Sequence, residues 1–182
     1  MSHGENKNQE NLLRQRLLGQ PSKVLIMTIA AEAVSDDDVF DALCSFIYSD
    51  EEPLRRRAAW VVEKVSVLCP SVVSSQRKKL MHLCMMNNLP NGVRRLLLSI
   101  LYNLFEKDML DVEFLNFLLE KMCDMKSTPG VQALAMKLAF QMCRVEPDLR
   151  EEFFNIIYYK MELDSYSAGV RSVVYNCMKN RK

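Results

Sequence analysis

A chain of 182 residues has room for one domain and little more. It is 49% apolar, 26% charged and 8% aromatic, the composition of a globular protein with a core, which excludes disorder over most of its length. A formal charge of +1 excludes a global field that steers the molecule to one kind of partner, and five Gly and six Pro are too few for the turns of an all-β fold.

Residues 1–9 form a polar tail without an apolar stretch of signal-peptide length. The longest apolar runs, such as Val24–Met27 and Leu96–Leu98, are far too short to span a bilayer, so a cytoplasmic protein without membrane contact is expected. Residues 10–182 are expected to form a single all-α domain, since Leu, Met, Lys, Arg, Glu and Ala all favour helix. Six cysteines at 44, 69, 84, 123, 143 and 177 show no Cys-x-x-Cys spacing and lie in or beside apolar helical runs. They read as reduced core residues, with no metal site and no cofactor.

Short punctuating motifs recur along the chain. Glu52-Pro-Leu-Arg55, Pro90-Asn-Gly-Val-Arg94, Pro129-Gly-Val-Gln132 and Ala168-Gly-Val-Arg171 place an Arg or Gln every 38 or 39 residues, and Gln20-Pro-Ser-Lys23 is a degenerate first copy. Pro70 and Pro147 fall about midway between copies, so each period holds two helices with a turn between them. These turns are expected near 19–22, 50–54, 88–92, 125–130 and 164–169.

The helices take their core faces from spacing. In the first helix of each pair, A, the stripes run Val39, Phe40, Leu43, Cys44, Phe46, Ile47, then Leu80, Leu83, Cys84, then Phe114 to Met122, then Phe153 to Met161. Asp36-Asp37-Asp38 opens the first of these with negative charge at a helix N-terminus, and it lacks the alternation, glycine and closing Glu of a calcium loop. In the second helix, B, counted from the Arg/Gln/Lys position, offsets three, six, seven and ten are apolar: Leu97, Ile100, Leu101 and Leu104 in the third copy, for example. Those offsets share one face of a 3.6-residue helix.

The period, the turn Pro or Asp and the Val-Arg at the start of helix B resemble HEAT repeats over about residues 10–182. Val93-Arg94 and Val170-Arg171 match that pair, Leu54-Arg55 matches conservatively, and Asp50, Asp124 and Asp164 resemble the family's turn aspartate. Val131-Gln132 lacks the Arg and Lys23 lacks the preceding Val. The resemblance implies an α-α superhelix, an armadillo-like solenoid of about four and a half HEAT-like helical hairpins, with the B helices along its concave side. Hairpins cannot bury their apolar stripes alone and share a core by stacking. Arg55, Arg94 and Arg171, at one place in successive repeats, are expected to ladder along the stack through turn carbonyls or Asp side chains.

A neutral total hides a segregated charge. The B segments hold fourteen Lys/Arg and three Asp/Glu, and the rest of the chain ten and twenty. Opposite the core stripe, cations alternate with aromatics: Arg56, Trp60, Arg95, Tyr102, Lys137, Phe140, Arg144 and Lys179. Trp, Tyr and Arg are the side chains that anchor interfaces. The expected function is therefore a non-enzymatic scaffold whose basic, aromatic-lined groove takes an acidic peptide or protein. Nucleic acid is the alternative ligand of the same groove, with bases on the aromatics and phosphates on the cations.

No catalytic constellation accompanies the groove. The two histidines, His3 and His82, stand in the tail and on an A helix, and no phosphate loop or nucleophile elbow occurs. One enzyme class shares the architecture, the HEAT-like alkylated-base DNA glycosylases. The groove chemistry is similar, but the concave Asp of that class is absent, and only Glu63 and Glu106 lie near the right face.

Overall fold

Ser22, Asp36, Asp111 and Ser167 each turn a side-chain oxygen onto the backbone N–H groups that open a helix. Asp36 Oδ1 accepts from Asp38 N at 3.0 Å and Val39 N at 3.2 Å, so the acidic run is a cap reinforced by the helix dipole. Pro53, Pro129 and Pro147 sit in the first turns of other helices, where the missing N–H is not needed. These punctuation residues account for where seven of the described helices begin.

The computed structural model describes residues 2–106 and 110–181. Met1 of the expected tail, and Lys107 and Lys182 of the B segments, lie outside them. Among the described residues there is no strand. The helices are α1 (Ser2–Leu18), α2 (Lys23–Ser35), α3 (Asp37–Phe46), α4 (Glu52–Leu68), α5 (Pro70–Ser74), α6 (Arg77–Met85), α7 (Asn91–Asn103), α8 (Val112–Cys123), α9 (Pro129–Cys143), α10 (Pro147–Lys160) and α11 (Ala168–Lys179). A single 3₁₀ turn, Leu163–Ser165, precedes α11.

Each turn between paired helices overlaps its expected place, and among the described residues the pairs are α1/α2, α3/α4, α6/α7, α8/α9 and α10/α11. The degenerate first copy still forms a full pair, because the polar residues from Ser2 onward continue into α1 instead of trailing as a tail. The short α5 is an addition to the expected pattern. Pro70 cannot continue α4, which stops at Leu68, and it restarts the chain as one brief helix.

By packing, the span of residues 10–182 divides into two compact units, one up to Arg77 and one from Lys78. In the first, α4 packs on α1, α2, α3 and α5. In the second, α9 is the central helix, with α7 and α11 beside it in a row of B helices and the A helices α8 and α10 behind. The core of each unit is the expected stripe. Ile26, Ile29, Ala30, Ala33, Ala58, Val61, Val62 and Val65 are buried in the first unit. Leu97, Ile100, Leu101, Leu104, Ala135, Leu138, Ala139, Met142, Val174 and Cys177 are buried in the second. A fully buried Leu or Ile stabilises by roughly 1.5–3 kcal/mol, so these stripes hold the pairs together. Met178, also at offset seven, departs from the pattern and stays half-buried.

All six cysteines are free. Burial pushes the thiols of Cys84 and Cys143 up to about 12 and that of Cys177 to about 11, which keeps them protonated. No helix among the described residues is long and apolar enough to cross a membrane, and no described group of His, Cys, Asp and Glu could hold a metal ion.

Candidate functional site

Arginines at the start of the B helices reach back to the turn they have just left. Arg94 is 6% exposed; its Nε donates to Cys84 O at 3.1 Å and its Nη2 to Met86 O at 2.6 Å, closing the end of α6. Arg55 Nε donates to Ser49 O at 2.6 Å, and Arg171 Nη1 to Tyr166 O at 3.0 Å. Gln132 replaces the arginine with an amide and still reaches Asp124 O at 3.1 Å. The last carbonyls of a helix lack intrahelical donors, so a fixed side-chain donor is what these turns need.

Two further groups serve these turns without a repeating signal. Arg57 Nη1, from α4, donates to Leu17 O and Gly19 O in the turn after α1, where Lys23 offers no such bond. Tyr166 Oη donates to Cys123 O at 3.1 Å, tying the α10–α11 turn to the end of α8. Asp124 binds the Lys126 amide, Ser127 Oγ and Lys121 Nζ. Burial works to raise its carboxyl, but those partners together hold it below the ordinary carboxylate range. Asp50 is a weaker version, 3.6 Å from Arg55 and exposed, and Asp164 is simply exposed in the 3₁₀ turn.

The groove residues fall into both units. In the first, Arg56 is exposed and Trp60 half-buried on α4, and Arg56 Nε stands 3.7 Å from a Glu52 carboxylate one turn back, so its charge is partly met within the helix. In the second, Tyr102 of α7, Lys137 and Phe140 of α9, Arg144 at its C-terminal cap, and Asn176 of α11 converge on one cleft of about 340 Å³. Gln141, Val173, Cys177 and Asn180 complete its lining. Two cations and three carboxamides thus face the cleft, and no carboxylate among the described residues does.

The geometry of this cleft is specific. The Arg144 guanidinium lies 5.8 Å from the centre of the Phe140 ring, which fixes the long side chain over an aromatic face. Asn180 Nδ2 donates to Asn176 O at 2.7 Å, which orients its amide. Lys137 lies near enough to Cys177 that its charge partly offsets the upward push of burial on that thiol. Cys177 is therefore held neutral and is a poor nucleophile.

Three expectations for this face need correction. Phe140 does not project outward: it is 8% exposed, and its ring packs on Phe153 and Phe154 at 5.5 and 6.1 Å. The cause is the central position of α9, which is covered from α10 as well as from α7 and α11 and so buries a wider arc than one stripe. Lys179 is exposed but does not line the cleft, where Asn176 and Asn180 take its place on α11. Arg95 is exposed and lies beside Gly130 instead: a Cβ on that glycine would come within 2.8 Å of Arg95 Cδ. The bare glycine leaves room for the arginine stem across the start of α9, and a side chain there would have to displace it. The spacing did contain a signal for the missed residues, since Gln141 and Asn180 both stand at offset nine of their helices.

Helix pairs recurring along the chain, with turn donors at one register, define an all-α helical-repeat protein. The model of the HEAT repeat domain matches residues 13–181, and the chain belongs to the HEAT-repeat family. HEAT repeats are helical scaffolds for protein interaction and are generally not catalytic. No curated protein and no solved structure matches the chain.

Proposed function

We propose that the protein is a non-enzymatic binding scaffold that takes an acidic protein segment in the cleft formed by α7, α9 and α11. One observation carries this reading: Lys137 and Arg144 line the cleft with Tyr102 and three carboxamides, and no carboxylate among the described residues lines it with them. The chemistry suits a peptide. Arg144 offers a planar fork to a carboxylate, Lys137 a point charge, and Gln141, Asn176 and Asn180 amides that pair with a peptide backbone as both donor and acceptor. Six free thiols suit a reducing compartment, the cytoplasm.

The test is fluorescence anisotropy with a labelled Glu/Asp-rich peptide, alongside single-stranded and duplex DNA of equal charge. The peptide binds the wild type, and K137E/R144E weakens it by about tenfold or more, since both changes reverse charge in the cleft. Tighter binding of DNA than of the peptide, lost in the same variant, would make nucleic acid the ligand. Unchanged peptide binding by K137E/R144E would remove the cleft from the function.

A further inference from the structure

The A-helix side of the second unit carries a cleft of opposite character. It measures about 570 Å³ and lies between α8 and α10, and a neighbouring cleft of about 480 Å³ extends it along α10. The two share Glu152, Ile156 and Lys160. Leu119 and Ile156, each under a tenth exposed, close the floor of the cleft, and the accessible apolar surface beside it is the ring of Tyr159. Its carboxylates are Glu120, Asp124 and Glu152, and the extension adds Asp148 and Glu151.

These acids are not equally engaged. Asp124 and Glu120 share Lys121, at 3.1 and 3.5 Å. Among the described residues, Asp148, Glu151 and Glu152 make no ion pair and Lys160 is the only cation lining either cleft. Tyr159, on the rim of the extension, is 85% exposed, the highest value among the large apolar and aromatic side chains described. An aromatic left in water beside an apolar-floored cleft and unmatched carboxylates is what an unoccupied interface presents.

We propose that the α8–α10 cleft is a second docking site, for a basic segment of a partner protein that carries an apolar anchor. Lysine or arginine side chains of that segment meet Glu151, Glu152 and Asp148, and its apolar anchor packs on the exposed Tyr159 ring beside Ile156. The charge selects the partner's sign and excludes nucleic acid. The exposed Tyr159 ring separates such a segment from a small polyamine or a metal ion, which has nothing apolar to place on it. The site stands independently of the basic cleft, and two clefts of opposite sign would let one scaffold hold two unlike partners.

The probe is a labelled peptide of lysines and serines with a central Leu-Phe pair, followed by anisotropy against the full chain. Wild type binds it, E151K/E152K weakens it by about tenfold or more, and Tyr159→Ala weakens it severalfold. K137E/R144E leaves it unchanged, which keeps this result separate from that on the basic cleft. All these substitutions are at exposed positions, and unchanged thermal melting verifies folding. Equal binding of a peptide with Ser-Ser in place of Leu-Phe would reduce the effect to bulk charge and overturn the proposal. So would full binding by E151K/E152K. A dimer in sedimentation that both E151K/E152K and K137E/R144E dissolve would make a second copy the occupant, and would overturn it too.

Discussion

Arg94 shows how one side chain serves two needs at the end of a helix. Its guanidinium satisfies the Cys84 and Met86 carbonyls, and its flat face lies 5.9 Å from the centre of the Phe117 ring. Arg94→Ala removes both donors from a buried position and is expected to cost about 2–3 kcal/mol in urea denaturation. Gln132→Ala, which deletes a single neutral donor, is expected to cost about 1 kcal/mol. Arg94→Lys recovers little, because an ammonium cannot reach two carbonyls from one plane. The buried thiols make a second residue-scale prediction. Below pH 9 a thiol is protonated in both states; above it the unfolded chain loses protons that Cys84, Cys143 and Cys177 retain in the fold. Stability therefore falls as pH rises from about 9 toward about 12. C84A/C143A flattens that fall in urea midpoints taken across the range, and an equally steep fall in the variant would refute the assignment.

Helix starts offer the cleanest comparison between elements. Gly130 and Gly169 occupy equivalent places, the second residue of α9 and of α11. Beyond Ser167 Oγ at 3.8 Å, a Cβ on Gly169 meets open space, so Gly169→Ala is expected to stabilise by about 0.5–1 kcal/mol through helix propensity. Gly130→Ala gains the same propensity but must displace the Arg95 stem, and its net effect in chemical denaturation is expected to be smaller. A larger gain at 130 than at 169 would show that Arg95 does not rest there. Caps follow the same logic: Asp111→Ala removes the acceptor 2.8 Å from Phe114 N and costs about 1 kcal/mol.

At the scale of the molecule, what matters is where charge lies rather than how much there is. A net +1 conceals a surplus of cations in the B segments and a surplus of carboxylates over the rest of the chain. Affinity for an acidic peptide is expected to fall steadily as the Debye length shrinks from about 10 Å at 0.1 M salt to about 3 Å at 1 M. Thermal melting of K137E/R144E should stay within about 1 kcal/mol of wild type, because both residues are exposed. A salt-independent affinity, or a variant that unfolds, would show that the face is held by packing and not by charge.

A 38- to 39-residue period, a proline or glycine at each turn and apolar residues at offsets three, six, seven and ten were enough to read the helix pairs and their cores. The reason is local: the rotation per residue of an α-helix fixes which side chains share a face, whatever lies beside it. Lys137, Arg144 and Tyr102 were legible for the same reason, as residues opposite a clear stripe. How wide the buried arc of each helix becomes is not local. Phe140 turned inward because Phe153 and Phe154 of α10 close over it, and Lys179 gave way to Asn180 because the cleft depends on how α11 sits against α9. Arg57 and Tyr166 bind carbonyls 40 and 43 residues away, beyond the reach of any periodic pattern. Those contacts arise only when the helices pack, since neighbours brought together by the fold, not the turn of a single helix, decide which flanks are covered and which polar groups meet.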